Sequence, residues 1–324
     1  MKYYLIFIVL TLIYSCSDKP SSKNTSKTNT DQVLNKKSTS LIVLGTIQDA
    51  GSPHIGCIKE CCKDLFKNPD KDRQVAALGL VDNNYSKKYL FEATPDIARQ
   101  MKALSRDDIQ SKNEMVDGIF LTHAHIGHYA GLMYLGKEAT NAKNVTVFGM
   151  PRMKRYLETN GPWSQLVSNK NISLTQIEEE QSISLSPNLI VTPFLVPHRD
   201  EYSETVGYNI KGPHKTALFI PDIDKWNKWK KSIVEEIKNV DYAFLDATFY
   251  SGKEINNRDI SEIPHPFMIE SLEIFNELDM PNRNKVIFIH LNHTNPTIDI
   301  NSDEAKKIIN QGFNIARIND VYDL

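Results

Sequence analysis

The chain has 324 residues, 40% of them hydrophobic, and its 38 basic and 40 acidic side chains leave a net charge of −2. That length and composition supply a well-buried core for one large or two ordinary domains. The balanced charge offers no basic surplus to neutralise a phosphate backbone, which argues against nucleic acid as a general partner.

Residues 1–16, MKYYLIFIVLTLIYSC, carry one Lys, an apolar stretch from Tyr3 to Tyr14, then Ser15 and Cys16. The stretch is short for a permanent membrane helix and suits an export signal over residues 1–15. Its IYSC ending resembles a bacterial lipobox. This predicts lipidation of Cys16, membrane attachment through it and a place in the bacterial cell envelope facing the periplasm or exterior; an uncleaved anchor or an ordinary signal peptide are the alternatives. Residues 16–39 are rich in Ser, Thr, Asn and Lys, with too little apolar surface to offset ordering entropy, and read as a flexible tether. Residues 40–324 then form the folded domain.

Cys57, Cys61 and Cys62 follow within six residues. An exported chain ordinarily oxidises its cysteines to disulfides, but an odd number packed so closely fits a metal better than a disulfide framework. From there short β-branched runs alternate with helical patterns: LIVLGT, VAALGLVD, KYLFEA, GIFLTH, VTVFG, LIVTPFLV, TALFIPD, YAFLDAT and KVIFIH read as strands. TPDIARQMKAL reads as a helix capped by Thr94 with Pro95 at its first position, and Ile97, Met101 and Leu104 on one face. SDEAKKIINQGF reads as a helix burying Ala305, Ile308 and Ile309 and stopping at Gly312. So many strands exceed one comfortable sheet, which predicts an α/β domain with two sheets between helical layers.

Polar residues collect at the ends of these strands. LTHAHIGHYAGL, residues 121–132, places His123 and His125 in alternation on an extended segment and His128 at a helix start. His198 follows LIVTPFLVP, Asp222 follows TALFIP, and His290 closes KVIFI. Converging neutral imidazoles suit Zn²⁺ or a similar divalent ion. His265, between the two prolines of SEIPHPF, reads as a plain surface turn, with a loop over the site as the alternative, and His214 in KGPHKT as a hairpin turn; Trp163, Trp226 and Trp229 could line a pocket, although the helical spacing of Trp226 and Trp229 suits packing.

LTHAHIGHYAGL resembles the H-x-H-x-D-H signature loop of the metallo-β-lactamase fold hydrolases, and the resemblance extends over roughly residues 41–318 through PHRDEYSETVGY, LFIPD and FIHLNH. GSPHIGC, SETVGY and HLNHTNP are most similar to the pyrroloquinoline-quinone biosynthesis B proteins and to the cyclic-phosphate phosphodiesterases of phosphonate metabolism. The resemblance implies a four-layer αββα sandwich. It implies a first ion on His123, His125 and His198, and a second on His128 and His290, with Asp222 bridging. Gly127 stands where the family has an Asp ligand, so the second ion is expected to be one carboxylate short; Asp200, Glu201 and Asp224 are the fallbacks, and Gly127→Asp is expected to raise its occupancy. The phosphodiesterase likeness further implies a separate structural Zn²⁺ on Cys57, Cys61, Cys62 and His293. His54 could replace one cysteine, and a disulfide of Cys57 or free thiols remain the alternatives.

An ion held by three imidazoles with an open position lowers the pKa of a bound water towards ~7, a nucleophile for an ester or phosphodiester. In that setting His123, His125, His128 and Asp222 form the catalytic group. The leading expectation is thus a lipid-anchored, metal-dependent hydrolase of a small-molecule substrate. The alternatives are a metal-binding biosynthetic or accessory protein resembling the quinone-cofactor B proteins, or a silent binding protein on the same scaffold.

Overall fold

The computed structural model describes residues 38–255 and 259–324. One sheet contains β1 (Thr39–Gly45), β2 (Ala77–Asp82), β3 (Lys87–Phe91), β4 (Gly118–Phe120), β5 (Val145–Gly149) and β6 (Ile172–Gln176) in sequential order, with the C-terminal β14 (Val321–Asp323) on the outer edge of β1. The other contains β7 (Ile183–Ser186), β8 (Leu189–Leu195), β9 (Val206–Lys211), β10 (Thr216–Ile220), β11 (Tyr242–Asp246), β12 (Val286–Ile289) and β13 (Asn314–Ile315), again in order. Each sheet is part antiparallel and part parallel: β3 to β6 run parallel, as do β10 to β13.

The two sheets face one another across an aromatic layer. Phe91, Phe120 and Phe148 stack from β3, β4 and β5, and Tyr208 and Phe219 of the other sheet meet Phe91 edge-on. Outside the first sheet, Ile97, Leu132, Met153, Leu157, Trp163 and Leu166 bury a helical layer; outside the second, Trp226, Trp229, Ile237, Phe275, Ala305 and Ile308 bury another. The result is the four-layer αββα sandwich, and all three tryptophans are packing residues within it.

Local differences from the sequence reading have physical causes. Edge strands β6 and β7, the polar-ended β9 and the short β13 and β14 carry weak patterns, and their pairing comes from tertiary context. The first helix runs Ile97–Ala103, two residues later than Thr94 and Pro95 suggest, because Asp96 takes the N-cap position and its carboxylate accepts from Val75 N at 2.9 Å. The helix at Asp303–Asn310 is capped by Ser302 and ends before Gly312, at φ +89°, but Ile309 is exposed.

The consequence for function is spatial. His123, Asp222, Asp246 and His290 all lie at or just beyond the C-terminal ends of parallel strands, β4, β10, β11 and β12. Strand pairing therefore brings them to one rim of the sandwich.

Candidate metal centre

Both sheets hold the 121–128 loop. Tyr208 Oη donates to Leu121 O at 2.5 Å, Val206 N to Thr122 O at 3.1 Å, and Ala124 N to Ser203 Oγ at 2.8 Å. His128 lies in a four-residue turn of helix, Ile126–Tyr129, followed by a 3₁₀ segment rather than a long helix. His290 (φ +66°) and Glu92 (φ +76°) adopt left-handed backbone, a conformation costing about 1–3 kcal/mol that concentrates at functional sites.

His123, His125, His198 and Asp222 form one cluster in which each residue offers a ligand atom within 4.8 Å of the others. His125 Nδ1 lies 3.2 Å from His198 Nε2, His123 Nε2 3.4 Å from Asp222 Oδ2, and His198 Nε2 3.2 Å from Asp222 Oδ1. A tetrahedral ion with ligands at 2.0–2.1 Å has edges of about 3.3 Å, so these spacings fit. On the outer side, His125 Nε2 meets Glu201 Oε2 at 3.1 Å, at the partly open mouth of the cluster. Asp49, His128 and His290 form a second cluster, and Asp222, His265 and His290 a third that joins the first through Asp222.

The buried nitrogens His123 Nε2, His128 Nε2 and His290 Nε2 have no hydrogen-bond partner, and neither does Asp222 Oδ1. Leaving a buried polar atom unpaired costs about 1–3 kcal/mol, so several aimed at one place fit a cation. Two remote ring nitrogens are held as metal-ligating imidazoles usually are, with Thr122 Oγ1 2.9 Å from His123 Nδ1 and Thr248 Oγ1 2.9 Å from His290 Nδ1; His128 Nδ1 makes no hydrogen bond but has Glu92 Oε1 3.4 Å away.

The charges are consistent with this design. Burial, reinforced by His128, holds His123 well below its usual value and keeps it neutral. Burial opposes ionisation of Asp222, but His198 and His265 outweigh it and hold the carboxylate well below the usual range. Around His128 burial is outweighed by Glu92, Asp49 and Asp222, which push the imidazole up to about 9. This is a region that attracts positive charge.

Three residues of the site escaped the sequence reading, Asp49, Glu92 and Asp246, and for His265 a loop over the site was only the second reading. His265 is not a plain surface turn. Its Nδ1 lies 2.9 Å from Asp246 Oδ2 and 3.2 Å from Asp222 Oδ1, and these carboxylates overcome burial to push it up to about 10. Asp246 ends β11 as Asp222 follows β10, so the same strand-end rule could have found it. The fallback carboxylates are engaged elsewhere: Asp200 accepts from Thr205 Oγ1, Asp224 pairs with Lys228, and Glu201 faces the outer nitrogen of His125. In the second cluster, expected to be one carboxylate short, the Asp49 carboxylate lies beside His128 and His290. Gly127→Asp, expected to raise occupancy of the second position, would place a Cβ 2.5 Å from Asp49 Cβ.

The cysteines form a separate group with His293, all four ligand atoms within 4.8 Å of one another. Cys57 and Cys61 sulfurs are 4.0 Å apart and those of Cys61 and Cys62 3.9 Å, close to the edge of about 3.8 Å for a tetrahedron with Zn–S of 2.3 Å. Adjacent cysteines thus reach one centre, while His54 stacks on the His293 ring at 4.5 Å. Cys57, Cys61 and Cys62 form no disulfide in this structure. Burial and the neighbouring sulfurs push the Cys61 thiol up to about 12, so a cation is what would let the group ionise together. A cavity of about 860 Å³ at the Thr39 end of β1, beside Asp82, His214 and Leu324, contains none of these residues.

Fold and site together define a sandwich with a histidine and aspartate centre suited to divalent metal at its strand ends. The pattern of the beta-lactamase superfamily domain matches residues 87–291, more than half of the chain, and the protein belongs to that superfamily. Coenzyme PQQ synthesis protein B of Rhizobium meliloti (strain 1021) is 24% identical over 302 residues, covering 85% of this chain and 94% of that protein. The same protein of Pseudomonas putida KT2440 is 24% identical over 299 residues, covering 85% and 96%. Among solved structures, Zn²⁺-bound PqqB from Methylobacterium extorquens superposes with a TM-score of 0.72 at 20% identity, covering 88% of this chain and all of that one. A diphosphatase of the PhnP family gives 0.64 at 20% identity, covering 88% and 97%.

These relatives correct the expectation of a lipid-anchored protein of the cell envelope. The proteins that align with 85% of the chain are coenzyme synthesis proteins, and among the described residues no helix is long and apolar enough to cross a membrane. The expectation rested on residues 1–37, Cys16 included, which lie outside the described residues.

Proposed function

We propose that this chain is a metal-binding protein of the PqqB-like branch of the superfamily, acting on a small molecule in a biosynthetic or cofactor-handling step. His123, His125 and His198 would hold one divalent ion, His128 and His290 a second, with Asp222 between them, and Cys57, Cys61, Cys62 and His293 a structural zinc. The observation that carries the reading is the convergence of three unpartnered, buried imidazole nitrogens on one carboxylate. The coenzyme synthesis relatives, aligned along most of their own length, support the biosynthetic side. A recess of about 260 Å³ lined by Arg152, Arg155, Tyr156, Glu201 and Tyr202 adjoins the Glu201 contact to His125 and suits a small anionic molecule.

A divalent ion in such a site supplies Lewis acidity and an activated water when bound. The residues around it do the rest. Glu92 and Thr248 fix the rings of His128 and His290, Asp246 steadies His265, and Arg199 and Glu201 border the outer edge of His125. His265 supports a second reading, hydrolysis: its side chain is 11% exposed at the edge of the site and its Nδ1 is oriented by Asp246 and Asp222, which makes it the candidate general acid. Zinc content measured together with a screen of phosphodiester, lactone and β-lactam compounds separates the two. Bound zinc without turnover supports the accessory role, turnover lost in His265→Asn supports hydrolysis, and absence of bound metal after reconstitution overturns both.

A further inference from the structure

The unexplained pair is Gly127 and Asp49. We propose that Asp49 is the carboxylate ligand of the second ion, brought from the loop after β1 to do what an aspartate at position 127 does in the family signature. The inference rests on the metal reading above and concerns a residue outside the stretch that matches the superfamily pattern, residues 87–291.

The geometry comes first. Asp49 offers a carboxylate oxygen within 4.8 Å of the ligand nitrogens of His128 and His290, and the Nε2 atoms of both these buried rings lack any hydrogen-bond partner. The loop is not placed there by chance packing. Ile47 bridges to Val75 on one side and Leu291 on the other, Gln48 N donates to Leu291 O at 2.9 Å, and Leu291 N donates to Thr46 O at 2.7 Å. Residue 49 is therefore held in register with the strand end that carries His290. Gln48 donates its side-chain amide to Asp49 Oδ1, an outer contact of the kind that orients a ligating carboxylate.

The exclusion argument comes second. A Cβ on residue 127 would lie 2.5 Å from Asp49 Cβ and 2.6 Å from Asp49 O. In this backbone the two carboxylates cannot both be present. Glycine at 127 is the notch that admits the loop, and the loop returns the negative charge that the glycine removed. No competing carboxylate serves the position: Glu92 lies on the Nδ1 side of His128, away from His290, and Asp200 and Asp224 are engaged with Thr205 and Lys228. An anionic oxygen beside two imidazoles and a bridging aspartate is an ordinary donor set for Zn²⁺ or Mn²⁺.

The test uses the full chain, reconstituted with Zn²⁺ and dialysed against a fixed zinc buffer, with metal counted by mass spectrometry and affinities read by calorimetry. The parent protein should hold two active-site ions besides the thiolate-bound zinc. Asp49→Asn, nearly isosteric, should lose one ion per chain or weaken its binding by at least about 100-fold, the upper end of what losing an outer-shell partner costs. Asp49→Ala should do the same, while the melting temperature of the metal-free protein stays unchanged in at least one of the two. Asp200→Asn and Asp224→Asn should leave the count intact. Two active-site ions retained in both Asp49 variants, only one in the parent, or loss of an ion in Asp200→Asn or Asp224→Asn would each overturn the assignment while leaving the metal reading in place. A parent that binds no active-site ion would instead overturn the metal reading itself.

Discussion

Gly127→Ala probes the contact between the histidine loop and the Asp49 loop without substituting any candidate ligand. The added methyl would meet Asp49 Cβ at 2.5 Å and Asp49 O at 2.6 Å, roughly 1 Å inside ordinary contact. Relief requires the 46–51 loop to retreat, but Gln48 N and Leu291 N tie it to the end of β12. Overpacking of this kind costs about 1–3 kcal/mol, and one backbone hydrogen bond sacrificed in the retreat adds about 1 kcal/mol. The lower total, about 2 kcal/mol, corresponds to a fall of roughly 4–8 °C in melting temperature for a domain of this size. Circular dichroism melts of the metal-free proteins measure it free of stabilisation by bound ions. Gly127→Asp should fall at least as far, and should not gain an ion. A Gly127→Ala protein that melts within about 1 °C of the parent would refute the packing on which this reasoning depends.

Other perturbations address separate parts of the account. Substituting Ser for Cys57, Cys61 and Cys62 together should remove one zinc per chain and lower thermal stability, since closure of a thiolate site contributes on the order of 10 kcal/mol to metal-linked folding; unchanged zinc and melting would exclude a structural site. Glu92→Gln keeps the shape behind His128 but removes the charge, and zinc titration should show the second ion bound about 10–100-fold more weakly. Phe120→Ala opens the stack between the sheets, where Phe91, Phe148 and Tyr208 all contact Phe120. Denaturant unfolding should register a loss of about 3–5 kcal/mol.

The parts legible in the sequence were those carried by short-range pattern. His123, His125, His198, Asp222 and His290 each follow a strongly apolar strand, and the strand ends do converge. The cysteine cluster with His293 was legible from the family likeness, and the 3.9 Å separation of the Cys61 and Cys62 sulfurs lets these adjacent residues face one centre. Asp49 was not legible, because nothing in GTIQDAGSPH shows that the loop after β1 lies in register with Leu291; that contact spans the whole sandwich and is set by the bridge at Ile47. His265 looked like a turn residue because its flanking prolines signal a turn. The turn is real, but two carboxylates from β10 and β11 lie beneath it.

The central claim is that the histidine and aspartate cluster is a metal centre. Its most direct measurement is the zinc content of the purified, reconstituted chain beside His123→Ala and His198→Ala, each dialysed against the same zinc buffer. The account predicts that the parent holds tightly bound active-site zinc in addition to the thiolate-bound ion, and that either substitution abolishes tight binding at the first position while the cysteine site stays filled. A parent whose zinc is wholly accounted for by Cys57, Cys61, Cys62 and His293, and which both substitutions leave unchanged, would contradict it.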